Sequence, residues 1–330
     1  LMNRLQVSNG LILDPVTQSV KTSNVYIADG NIIAIDHEPA GFEADLSIDA
    51  TGLIISPGLV DLSARLREPG LEFKADIHSE VTAAASAGIT TLCCPPDTDP
   101  VIDEPAVVEL IHRKAANAAH SKVVTLGALT SGLEGNLLSE MATLKAAGCV
   151  GVSNSRRPVA NTLILRRAYS YAANCDITVF IEPDEHWLSK GGCAHDGKVA
   201  TRLGLQGIPV SAETVAISRA LELILETGAR AHFGRLSSAH GVELIRRAKE
   251  RGMAITADVS AHQLFLSEMD INSFNSMCHV LPPLRSQRDM EALREAVKDG
   301  VIDAICSDHQ PHEPDAKQAP FASTQAGISS

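Results

Sequence analysis

Past residue 52 the apolar residues of this chain fall into short unbroken runs, and between them lie longer stretches in which Leu, Ile, Val and Ala recur every three or four positions. Runs of that length read as buried strands, and the periodic stretches as helices with one apolar face, which together are the pattern of βα units around a parallel sheet. Eight strands are predicted, near 54–62, 89–94, 123–128, 148–153, 177–182, 230–235, 253–258 and 301–306. Helices are predicted over 103–118, 138–147, 162–174, 211–227, 240–251 and 286–298, with Ser211 and Ser286 as N-caps of two of them. Eight strands alternating with helices predict a closed (β/α)8 barrel, whose chemistry lies on the loops at the C-terminal ends of the strands.

The first 52 residues follow another pattern. Strand-like pieces surround Asn9–Pro15 and Asn24–Ile35, and Asp29-Gly30 within the second is a hairpin turn between alternating apolar positions. The chain therefore reads as a small β domain over 1–52 followed by an α/β barrel over 53–330.

Composition narrows the class. Hydrophobic residues make up 45% and aromatics only 3% of 330, so the core is to be built from Ala, Val, Leu and Ile. A net charge of −12 argues against general affinity for nucleic acid or anionic membrane. The seven cysteines fall at no paired spacing, and Cys93, Cys94 and Cys306 sit inside apolar runs, which suits a reducing cytoplasm. The stretch Met2–Gln6 lacks the apolar core of a signal peptide, and no run of about 18 apolar residues could span a bilayer. Leu1 ahead of Met2 reads as an addition to the natural start.

Candidate chemistry centres on Asp61-Leu62-Ser63-Ala64-Arg65-Leu66-Arg67-Glu68-Pro69-Gly70, at the end of the first barrel strand. With Ala87-Gly88-Ile89-Thr90-Thr91, the stretch from Arg202 to Pro209, Val242–Arg246, Pro282-Pro283-Leu284-Arg285 and Ile302–His312, in that order, the chain resembles the dihydroorotase branch of the cyclic amidohydrolases. The resemblance implies a TIM barrel of the amidohydrolase type. It also implies, in active members, zinc that generates hydroxide and an aspartate that acts as general base.

The ligands that such chemistry needs are missing. The family's first strand ends in His-x-His, two imidazoles on one side of a strand gripping one ion, and here those positions are Ser63 and Arg65. A guanidinium has no lone pair to offer a metal. The family's carbamylated lysine falls in Val152–Arg156, at Asn154 and Ser155, and its later histidines align with Glu182 and Arg235. Asp308 alone remains of the metal set, so neither metal nor cofactor is expected. Arg67 matches the residue that holds a substrate carboxylate in relatives, but its asparagine helpers have become Asp97, expected to repel an anion, and Leu281. The alternative for Arg67 is an ion pair packed inside the mouth. Asp308 reads as a structural carboxylate, His232 and His262 as barrel histidines with local hydrogen bonds, and His309 and His312 beside Cys93 or Cys94 as coincidence rather than a new metal site.

These positions predict a catalytically inactive dihydroorotase-like protein. The resemblance further implies a scaffolding role beside the catalytic subunit of bacterial aspartate transcarbamoylase, in pyrimidine biosynthesis. The competing reading is an active cyclic amidohydrolase, dihydroorotase or hydantoinase-like, with an altered or absent metal site. The family's chain also continues past the eighth strand through a helix and a segment returning to the small domain. This chain ends at Gly327-Ile328-Ser329-Ser330, so it is expected to lack both.

Overall fold

The computed structural model describes residues 4–330; Leu1, Met2 and Asn3, which open the stretch read as free of a leader and carry the added-residue reading, lie outside the described residues. Two compact units are present, one ending at Leu59 and one formed by Val60–Ser330.

In the first unit β1 (Arg4–Asp14) pairs antiparallel with β2 (Ser19–Ala28), which pairs antiparallel with β3 (Asn31–Ile35). β4 (Leu46–Asp49) and β5 (Ile54–Ile55) run parallel to β1. The turn between β2 and β3 has φ of 49° at Asp29 and 76° at Gly30, the left-handed pair that a two-residue hairpin needs to match strand twist. Tyr26 and Phe42 meet edge to face at 5.3 Å in its core.

The stretch 54–62 is not one strand. Ile54–Ile55 completes the small sheet, and β6 (Leu59–Asp61) opens the barrel. Pro57-Gly58 separates them, because proline cannot donate to a ladder and glycine weakens one.

The barrel continues with β7 (Ile89–Cys94), β8 (Lys122–Ala128), β9 (Cys149–Ser153) and β10 (Thr178–Ile181). A two-stranded excursion follows, β11 (Ala194–His195) with β12 (Gly207–Ile208), and then β13 (Ala231–Phe233), β14 (Ile255–Ser260) and β15 (Ala304–Cys306). Eight parallel strands run in the order β6-β7-β8-β9-β10-β13-β14-β15. Closure comes just beyond the first and last, where Ala64 bridges His309 and the buried Asp61 carboxylate accepts from Ser307 N–H at 2.9 Å and from its hydroxyl.

The helices are α1 (Ile77–Ser86), α2 (Pro105–Ala118), α3 (Met141–Ala146), α4 (Thr162–Asn174), α5 (His186–Ser189), α6 (Lys198–Leu203), α7 (Val210–Thr227), α8 (Ala239–Glu250) and α9 (Gln287–Lys298). Ser286 caps α9 through the Asp289 N–H. Ser211 does not cap α7: Pro209, at φ −68° and ψ 156°, starts that helix and Ser211 already lies in its first turn. Helix α1 lies outside the predicted set, although it buries Ile77, Val81 and Ala84 along one face and Asp76 and Ser79 form a capping box at its start. Leu66, Ile111, Leu144, Ile217, Phe233 and Leu293 are among the fully buried side chains between strands and helices. Among the described residues no helix is long and apolar enough to cross a membrane.

Candidate functional site

Loops at six of the eight strand ends bring charged side chains together in the barrel mouth: Arg65 after β6, Asp97 after β7, Arg156 after β9, Glu182 after β10, Arg235 after β13 and Asp308 after β15. Arg65 Nε donates to Asp97 Oδ2 at 2.9 Å, while Nη1 lies 3.6 Å from Asp308 Oδ1 and Nη2 4.0 Å from Glu182 Oε1. Arg235 Nη1 donates to Asp308 Oδ1 at 2.6 Å, and its Nη2 forms an ion pair with Glu182. Gln310 Nε2 donates to the same Asp308 oxygen at 2.9 Å. The Arg235 and Asp308 side chains are 2% and 1% exposed, so these are charge-assisted bonds away from bulk water.

Burial by itself would depress the Arg65 guanidinium, but Asp97 and Asp308 outweigh it and hold the pKa above its ordinary value. For Asp97, desolvation is likewise outweighed, chiefly by Arg65, and its carboxyl stays below the usual carboxylate range. Asp97 is therefore a partner of Arg65 rather than an open repulsive charge. The two-against-two balance of Arg65 and Arg235 with Glu182 and Asp308 gains this third carboxylate. Arg156, 3.2 Å from Asp184, adds a further cation at the edge of the cluster, its pKa lowered by burial.

One buried carboxylate fixes Arg235 and another fixes the turn that follows it. Asp258 accepts from the Arg235 backbone N–H at 2.6 Å and from His232 Nε2 at 2.9 Å. Glu213, at the start of α7, accepts from the N–H groups of Ser237 and Ser238 at 2.9 and 3.1 Å, so it binds the turn into α8 as an anion binds a helix N-terminus. Gly241 is required beside it, since a Cβ there would sit 2.1 Å from Glu213 Oε1. Arg285 of the Pro-Pro-Leu-Arg motif ties this turn to the Arg202–Pro209 motif, donating to Ser237 Oγ at 3.2 Å and to the Ile208 carbonyl at 2.5 Å.

Backbone strain is present at the same rim as well as elsewhere in the chain. Arg67, Ser155, Arg235 and Asp308, all beyond strand ends, have φ of 63°, 49°, 58° and 52°. Such left-handed conformations in residues other than glycine cluster at functional sites, where the surrounding structure enforces them.

The other candidates fall as follows. Ser63 serves closure, its N–H donating to Asp61 at 3.2 Å and its carbonyl accepting from Ser307 Oγ at 3.4 Å. The Asn154 carboxamide accepts from Thr130 Oγ1 at 2.6 Å and donates to the carbonyls of Leu133 and Arg157, so it is spent on loop structure. Arg67 forms no ion pair among the described residues; its Nε donates to the Pro311 carbonyl at 2.9 Å and Nη2 lies 3.3 Å from His312 Nε2. Leu281 lines the same cavity as Arg67 and Asp97. His232 has its two local bonds, to Asp258 and to Thr256, but His262 does not, because both of its buried ring nitrogens lack a protein partner. His309 pairs with Glu80, His312 bonds the Ala326 carbonyl at 2.9 Å, and burial pushes the Cys94 thiol up to about 12, so none of them forms a metal set.

Zinc does not fit the positions where the family would hold it. It needs lone pairs from several donors at one point. Two of the positions present guanidinium nitrogens already directed at the carboxylates, and Asn154 is engaged elsewhere. Among the described residues no group of three or more His, Cys, Asp or Glu side chains could hold a metal ion.

Arg156, Asp258, Glu213 and Gln310 were not singled out in sequence. An acid inside the apolar run of β14 was the available signal for Asp258; Arg156 adjoined the degenerate Asn154-Ser155 pair.

The dihydro-orotase-like family profile matches residues 52–240. A "dihydroorotase-like protein" of Pseudomonas aeruginosa is 49% identical over 98% of this chain and 77% of its own length. A "dihydroorotase" of Syntrophotalea carbinolica is 39% identical over 98% of this chain and 76% of its own. Among solved structures the L-hydantoinase (dihydropyrimidinase) of Arthrobacter aurescens superposes with a TM-score of 0.85 over 99% of this chain and 74% of that one, at 22% identity, a likeness of fold. On the profile and the relatives together, the chain belongs to the dihydroorotase-like family.

Proposed function

We propose that this chain is a catalytically inactive dihydroorotase-like protein, acting as a scaffold or assembly subunit of an aspartate transcarbamoylase complex in cytoplasmic pyrimidine biosynthesis. The observation that carries the first half is the placement of Arg65 and Arg235 between Glu182, Asp97 and Asp308. A dication brought there would meet two permanent positive charges, each opposing it by several kcal/mol at an effective dielectric of about 20. Asp308 is also poorly placed as a general base. One of its oxygens already takes bonds from Arg235 and Gln310, and a base acts on an activated water that this donor set does not generate.

The second half rests on family resemblance, since proteins with this pattern of lost ligands resemble the non-catalytic partners of bacterial aspartate transcarbamoylases. The test has two readouts. Purified chain is expected to hold less than about a tenth of an equivalent of zinc and to show no ring-opening turnover, on the donor argument above. Mixed with the catalytic subunit, it is expected to share a peak in sizing chromatography and to raise transcarbamoylase activity, and Asp308→Asn should leave that peak intact. Separate peaks, or a complex lost in Asp308→Asn, would defeat the scaffold reading.

The reading as an active amidohydrolase with altered metal chemistry is favoured by one observation, the relatives at 39% identity that are named dihydroorotase. It requires turnover by this chain that chelator abolishes or that persists without metal.

A further inference from the structure

We propose that the barrel mouth binds a small phosphate-bearing ligand, held between Arg67 on the loop after β6 and Arg156 with Arg157 on the loop after β9. These loops line one cavity of about 540 Å3 within the barrel unit, in the size range of small-molecule sites. The lining presents five cations, Arg65, Arg67, Lys74, Arg156 and Arg157, against the single carboxylate of Asp97. On a chain of net charge −12 this is a local reversal of sign, and concave walls focus such a field on an anion.

Three of the five cations are answered by the protein itself: Arg65 by Asp97, Lys74 by Glu313 at 3.7 Å and Arg156 by Asp184 at 3.2 Å. Arg67 and Arg157 are not. Arg67 is half-buried with only a carbonyl and an imidazole beside its nitrogens, and burial together with Arg65 holds its pKa down to about 10. Asp97, Glu313 and Glu80 offset this only in part, and among the described residues none of them is in salt-bridge contact with the guanidinium. Arg157 is exposed and makes no ion pair among the described residues. Gln310 and Gln325 in the same wall add neutral donors.

Phosphate suits this arrangement better than a lone carboxylate. Each phosphate group brings nearly two charges and three acceptor oxygens, enough for guanidinium forks approaching from two loops. A small cyclic amide with one carboxylate would engage Arg67 and leave Arg157 unanswered. Among the described residues no group of three or more His, Cys, Asp or Glu side chains could hold a metal ion there, and the proposal is of binding alone. The proposal does not depend on the assembly role.

Calorimetric titration of the whole chain with inorganic pyrophosphate at low ionic strength tests it. One saturable site per chain is expected, at least about tenfold tighter than for N-carbamoylaspartate, with Arg157→Ala weakening pyrophosphate about tenfold, the effect of removing one charge-assisted contact. Among the described residues Arg157 makes no ion pair, and an unchanged melting temperature in the variant checks that point. Lys298→Ala, on α9 with a side chain 77% exposed, should bind as the parent does. No saturable heat, equal affinity in Arg157→Ala, equal weakening in Lys298→Ala, or tighter binding of N-carbamoylaspartate would each overturn the proposal.

Discussion

Arg235 Nη1 and Asp308 Oδ1 lie 2.6 Å apart, joining the loop after β13 to the loop after β15 at residues that are 3% and 1% exposed. A bare carboxylate at that depth would lose its hydration without return, and that costs several kcal/mol. The guanidinium supplies a permanent charge and enough donors to reach Glu182 with the same fork. The pair thus supplies a counter-charge for both carboxylates from within the chain.

Removing the cation should therefore be costly. Arg235→Ala leaves Asp308 and Glu182 short of a partner, and the expected loss of unfolding free energy is about 3–5 kcal/mol, read from denaturant midpoints at constant m-value. Arg166→Ala, whose pair with Glu226 is about half exposed, should leave the midpoint nearly unchanged. Similar losses in the two variants would mean the buried pair contributes no more than a surface one.

Repair of the first strand should not restore catalysis. Ser63→His with Arg65→His returns the His-x-His pair, but Arg235 still bridges Glu182 and Asp308, and Asn154 remains tied to Thr130. Zinc titration and a ring-opening assay of the double variant are expected to show neither stoichiometric metal nor turnover. Zinc-dependent turnover would show that the later positions can rearrange around a restored ion.

Local patterns were legible and long-range partners were not. Helix α4 spans 162–174 as its periodicity predicts, because Asn161 caps it through the Leu163 N–H and its apolar stripe faces the core. The Asp29-Gly30 hairpin was equally plain, since both residues tolerate the left-handed region. The break at Pro57-Gly58 was hidden inside an apolar run that two sheets divide between them. At the site, residue types alone marked Ser63, Arg65, Glu182 and Arg235 as departures from the family pattern. What Arg67 and Asp97 do depended on partners set by closure of the barrel: Arg67 meets Pro311, 244 residues away, and Asp97 meets Arg65.

Stability should fall with mild acid through His279. Its buried ring bonds Thr324 Oγ1 at 2.8 Å and packs on Phe321 at 4.9 Å, and burial, reinforced by Lys317, lowers its pKa to about 4. An unfolded histidine titrates near about 6.5, so between the two values the unfolded chain holds a proton that the folded chain refuses. The contribution is complete above the higher value and is lost as pH falls toward the lower, with a slope of up to about 1.4 kcal/mol per pH unit. His312, also lowered to about 4 chiefly by burial, adds in the same direction. Urea midpoints measured from pH 7 to 4.5 should decline, and less steeply in His279→Gln. A flat profile, or equal slopes in parent and variant, would contradict this assignment.

Ser155 offers the opposite outcome, a substitution at the barrel mouth that stabilises. Its backbone is left-handed at φ 49°, a conformation that costs a residue with a Cβ about 1–2 kcal/mol. Its hydroxyl is buried without a protein partner, and an unanswered buried hydroxyl costs about 1–3 kcal/mol. Glycine removes both penalties and gives back about 0.5–1 kcal/mol through greater freedom of the unfolded chain. The Ser155 N–H keeps its bond to Ser153 Oγ at 3.0 Å, which does not need the side chain. Ser155→Gly is therefore expected to raise the unfolding free energy by about 1–4 kcal/mol, the net of these terms, seen as a higher denaturant midpoint. A lower midpoint would show that the hydroxyl has a bonding role in solution, and that this strained turn of the barrel mouth is maintained for that contact.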